Sequence, residues 1–70
     1  MEWVECYSGY AYPERPTAMG WRGERLVIEQ VEQQWRSTTG WHFRVRTTTG
    51  SVFELQYSAP DDHWQIDLIE

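Results

Sequence analysis

From Trp41 onward, apolar and polar positions alternate with a period of two. Trp41, Phe43, Val45 and Thr47 alternate with His42, Arg44, Arg46 and Thr48; beyond Gly50, Phe53, Leu55 and Tyr57 alternate with Val52, Glu54 and Gln56. That period sends successive side chains to opposite faces of a pleated strand, so the stretch predicts a hairpin. The loop sets its register. With Thr48-Thr49-Gly50 as a three-residue loop and Gly50 left-handed, Val45 opposes Phe53, Phe43 opposes Leu55 and Trp41 opposes Tyr57. A two-residue loop would set Val45 against Glu54 and Arg44 against Leu55, breaking up the apolar face, so the first register is expected. On the polar face it sets Arg44 opposite Glu54 and His42 opposite Gln56. A turn is predicted at Ala59-Pro60-Asp61-Asp62, followed by a strand in which Trp64, Ile66 and Leu68 alternate with Gln65 and Asp67.

The first half of the chain is less regular. Residues 1–12 are mixed and aromatic and are expected to add an edge strand; Pro13 and Pro16 bracket an extended connection. Thr17 to Trp21 reads as a strand, with Arg22-Gly23 as a tight turn after it. Between 24 and 36 the pattern is ambiguous. Val27, Val31 and Trp35 recur at helical spacing with Ile28 beside them, yet their even separations also put them on one side of a strand. Flanking turns and short strands favour a long strand, bulged near Gln30 to Gln33; the alternative is α+β with a helix at about 24–36. The expected fold is therefore all-β, a single domain over 1–70. It is a small antiparallel meander of five to six strands curled into a half-open, SH3-like barrel or a strongly twisted sheet.

Composition explains how so short a chain holds together. Only one domain fits in 70 residues, and a core of that size is marginal without staples or heavy aromatic packing. The lone Cys6 forms no internal disulfide and no Cys/His spacing resembles a zinc site, so the 16% of aromatic residues must carry the core. The unpaired thiol, with no signal-like stretch and no long apolar run, leads to the expectation of a cytoplasmic protein that does not enter a membrane. The net charge of −5 disfavours a general nucleic-acid binder. Charge is unevenly spread, however. All six basic residues are arginines (15, 22, 25, 36, 44 and 46), and within residues 15–46 they outnumber Glu24, Glu29 and Glu32. In a sheet, such a segment mostly forms cross-strand ion pairs with its acidic neighbours.

The order Pro16, Trp21-Arg22-Gly23, Trp35, Phe43-Arg44-Val45-Arg46, Gly50-Ser51-Val52-Phe53-Glu54-Leu55 and Trp64 resembles a family of short bacterial proteins of unknown function. The resemblance spans about residues 13–69. It implies a compact, mostly β domain without assigned activity or known catalytic residues, some relatives being associated with or appended to Y-family, lesion-bypass DNA polymerases.

Candidate chemistry is sparse. A nucleophile would come from Cys6, Ser8, Ser37, Ser51 or Ser58 and a base from His42 or His63, but no spacing favours such a set. Cys6 reads as a small buried hydrophobe. His63 follows Asp61 and Asp62, but adjacent turn residues rarely converge on one ion, so neither a metal site nor another cofactor is expected. An enzyme is not expected either, since the chain has little material for both a core and a concave site. Binding is the better class. The leading expectation is a protein-interaction module, anchored by exposed aromatics such as Tyr7, Tyr10, Tyr12 and Trp21 and by an arginine face. The candidate site is Trp21, Arg22, His42, Arg44 and Arg46. The alternative is an accessory single-stranded nucleic-acid-binding domain using the same arginines and nearby aromatics. A weak homodimer through an edge strand is a third expectation.

Overall fold

Turn chemistry dictates much of the architecture of the computed structural model, which describes residues 3–6, 15–58, 61 and 63–70. Strands β1 (Trp3–Cys6), β2 (Pro16–Trp21), β3 (Glu24–Arg36), β4 (Gly40–Thr47), β5 (Val52–Ser58) and β6 (His63–Leu68) pair antiparallel in chain order, with no helix among the described residues. Arg22 and Gly23 both have positive φ, 50° and 82°, the conformation of a two-residue hairpin turn whose twist matches the strands it joins. Gly50, at φ 91°, closes the β4–β5 loop, where the Gly50 and Thr47 backbones bond over 2.9 Å. The resulting pairs are Val45 with Phe53, Phe43 with Leu55 and Trp41 with Tyr57, the register expected from the alternation. The turn expected at 59–62 lies outside the described residues except for Asp61.

β3 is one long strand with two bulges, not a helix. Its register against β4 skips Glu29 and Glu32, and each inserted residue inverts which face the following side chains take. Leu26 and Ile28 point inward before the first bulge, Val31 points inward between the two, and Trp35 points outward beside His42 after the second. The sequence pattern had set Val27, Val31 and Trp35 on one side. That expectation is corrected: Val27 and Trp35 lie on the outer face, 43% and 37% exposed, while Val31 packs on the core. Without the bulges, strict alternation would turn Val31 out with them.

β3 also makes the sheet curl. Glu24 to Val27 pair with β2 and Ile28 to Arg36 with β4, so one strand serves both halves. The halves fold face to face into a strongly curled half-barrel. Met19 of β2 shares a core with Phe43, Val45, Phe53, Leu55 and Ile66, and the Trp21 ring meets the Phe53 ring edge-on at 5.2 Å. Among the described residues Phe43 and Phe53 are the largest side chains sealed from water, and Trp64 leans on Phe43 and Tyr57. β1 takes the edge beside β2, where the Trp3 ring lies over Gly20.

Candidate functional site

The outer face of the sheet carries the polar half of the alternation, and there most of the arginines are already engaged. Arg25 forks onto Glu5, its Nε and Nη2 donating to Oε2 and Oε1 at 2.9 and 3.0 Å. The hydrogen bonds and charge of Arg25 hold the Glu5 carboxyl below its ordinary range. Arg46 grips Glu32, the second bulge residue, at 2.8 Å, and Arg44 stands 3.8 Å from Glu54. Two more arginines lie over tryptophans: Arg22 is 5.3 Å from the Trp21 ring centre and Arg36 is 5.2 Å from that of Trp41. Cross-strand pairing thus neutralises much of the basic segment, as expected of a sheet with interleaved charges. These pairs are exposed, so water and salt screen them and each adds little to stability.

Arg44 is the exception within this face. Its distance from Glu54 exceeds a hydrogen bond, and its Nε, although shielded from water, has no hydrogen-bond partner. Beside it, the Trp35 and His42 rings stack in parallel, 5.2 Å between centres and 6° between planes. His42 Nε2 shares a 2.8 Å hydrogen bond with Ser37 Oγ, which also meets Thr39 Oγ1 at 3.0 Å. The clasp fixes the turn into β4, where the Ser37 amide donates to the Gly40 carbonyl at 2.8 Å. Trp35 is thereby held upright at the end of β3. With Gln33, Gln34 and Arg44 it lines an open groove of about 540 Å³. A second depression of about 330 Å³ shares Gln33 and Gln34 and continues along β3 to Arg15. Among the described residues, β3 has no strand on that side beyond Val27, which leaves the groove open.

The five residues singled out in the sequence divide between two places. His42, Arg44 and Arg46 share the outer face, and the structure adds Trp35 and Gln33 to them. Trp21 faces inward against Phe53, and Arg22 covers its ring at the turn, so this pair does not join the outer face. Tyr7, Tyr10 and Tyr12 lie outside the described residues. Alternation alone groups Trp35 with the core residue Val31, because it does not see the two bulges that turn Val31 to the opposite face. The available signal is the polar doublets Glu29-Gln30 and Glu32-Gln33, where period two fails.

Ser37 and His42 form a hydroxyl–imidazole pair, but His42 Nδ1 has no hydrogen-bond partner, whereas an activated serine relies on a base that a third group orients. Burial pushes the Cys6 thiol up, away from the thiolate that would react. Among the described residues no His, Cys, Asp and Glu side chains gather as a metal site, and no helix is long and apolar enough to cross a membrane.

A curled six-stranded half-barrel with an aromatic and arginine groove on its outer face defines a small all-β domain. The chain belongs to the family described as a domain of unknown function, DUF6504, which its residues 7–67 match. Comparisons with curated proteins and with solved structures give no match.

Proposed function

We propose that this chain is a non-enzymatic, cytoplasmic interaction module that binds an extended peptide segment of a partner protein along the outer groove of β3. The observation that carries the reading is Trp35, more than one-third exposed yet held rigid on His42 beside the underused guanidinium of Arg44. Aromatic and arginine side chains supply most of the energy at protein interfaces, and a preorganised ring loses little entropy when it is covered. Such a partner presents an apolar or aromatic residue to Trp35 and a carboxylate to Arg44. Its contacts are made through side chains, because the two bulges deny it a regular strand ladder on β3.

Panning a random peptide library against the folded domain tests this. Enriched peptides should pair an apolar or aromatic residue with an acidic one and should lose binding to both Trp35→Ala and Arg44→Gln. Trp35 lies outside the core, so its variant should melt close to the wild type. Binding that survives both substitutions refutes the reading.

A second reading has its own support: Trp35 beside Arg44 is also a stacking platform for a base, and the residue pattern resembles bacterial proteins associated with Y-family DNA polymerases. It is weaker because Arg25 and Arg46 are held by glutamates on the same face and the chain carries a net charge of −5. Titrating Trp fluorescence with a short oligothymidylate at low and high salt separates the two, since phosphate binding fades steeply with salt.

A further inference from the structure

A curled open sheet has free edges, and this one treats them unequally. β1 is only four residues long, with its register broken between Glu5 and Cys6. The unpaired stretch of β3 carries two bulges and the charged Glu29 and Glu32 at them. Short length, bulges and charge are the usual devices that stop an edge from pairing with another chain. β6 has none of the first two. Its six residues run in unbroken register with β5, from Phe53 opposite Leu68 to Ser58 opposite His63, and no strand lies beyond it among the described residues. The Ile69 amide donates to the Val52 carbonyl at 2.8 Å, so by the alternation of antiparallel ladders the backbone groups of Trp64, Ile66 and Leu68 point away from β5. Leu68 and Ile69, at the end of this edge, are 48% and 43% exposed.

We propose that β6 pairs antiparallel with β6 of a second copy of this chain, about a two-fold axis through Gln65. Face continuity allows only registers in which the numbers of opposed residues share parity, so that the inner row meets an inner row. About Gln65, Trp64 opposes Ile66 of the second copy in a hydrogen-bonded pair, and His63 opposes Asp67 of the second copy in the closer, non-hydrogen-bonded spacing. The contact is self-complementary: two imidazole–carboxylate pairs on the outer face, two apolar pairs on the inner face, and an uncharged Gln65 meeting itself. The register turned about Ile66 instead sets His63 against Ile69 and leaves both Asp67 carboxylates on amides. The interface consists of one strand, and each chain carries a net charge of −5, so the dimer is weak and forms at high concentration. It leaves the β3 groove free, so its failure would not touch the peptide-binding reading.

Sedimentation over a wide range of protein concentration, with amide NMR shifts followed in parallel, is the test. The wild type should shift towards a dimer as concentration rises, with changing amides confined to residues 63–69 and their β5 neighbours. Gln65→Lys and Gln65→Glu place like charges on the axis; each alone should sediment as a monomer, and an equimolar mixture should recover the dimer. In a Cys6→Ser background, Gln65→Cys should oxidise to a disulfide-linked dimer faster than Asp67→Cys. A wild type that stays monomeric at NMR concentrations overturns the proposal, as does a dimer indifferent to charge at 65. Preferential cross-linking of mixed Gln65→Cys and Asp67→Cys chains also overturns it, because that pairing requires the other register.

Discussion

Gly20→Ala should destabilise the protein through Trp3. A Cβ added at Gly20 would come far inside contact distance of Nε1, Cε2 and Cδ1 of the Trp3 ring, so the ring must leave the surface it covers. Trp3 is 37% exposed, so roughly two-thirds of its side chain is buried at this site. For a tryptophan that is about 160 Å², worth at most about 4 kcal/mol at 25 cal/mol per Å². The ring lies on an edge strand and recovers part of that burial elsewhere. Alanine also offsets about 0.5–1 kcal/mol by stiffening the unfolded chain. The net loss is about 1–2 kcal/mol, or roughly 5–15 °C in Tm for a domain of this size. Urea and thermal melts read it directly, and the decisive measurement is a double-mutant cycle. In a Trp3→Ala background the steric conflict is gone, so Gly20→Ala should be neutral or slightly stabilising. An equal loss in both backgrounds would falsify the assignment of Gly20 to the seat of the Trp3 ring.

Gly50→Ala should cost about 1 kcal/mol by a different route: nothing lies within 4 Å of the added Cβ, so the whole effect is the left-handed φ of 91°. Gly50→Asn, which tolerates that region better, should recover part of the loss in the same melts. Arg25 holds the Glu5 pKa below its unfolded value, so the unfolded chain takes up this proton first as pH falls. The contribution of the pair is present above the unfolded carboxylate pKa and is lost as pH falls through the folded one. Arg25→Gln should therefore flatten that part of the stability–pH curve, and a curve unchanged from wild type argues against the pair in solution.

The polar and apolar alternation of residues 41–57 was enough to specify the β4–β5 hairpin, because one loop length alone keeps the aromatic face intact and Gly50 supplies the backbone that loop needs. Arg22-Gly23 likewise marked its turn, and the interleaving of arginine with glutamate pointed to cross-strand pairs. Two features of the candidate site were not legible in this way. Trp21 shares the interior with Phe53 because β2 folds across β5, a contact between residues more than thirty positions apart that no local pattern records. Trp35 sits opposite His42, and apart from the inward Val31, because Glu29 and Glu32 each insert one residue into β3 and together shift its register on β4 by two. Where a bulge falls is decided by the neighbouring strand, whose ladder the bulged strand must match. The sequence by itself determined the β4–β5 hairpin with its register and the Arg22-Gly23 turn, and it favoured a strand over a helix at 24–36 without deciding between them. Only the packing of one half of the sheet over the other decided that Phe43 and Phe53 seal the interior while Trp35 stays more than one-third exposed, since burial is settled among residues distant in the chain.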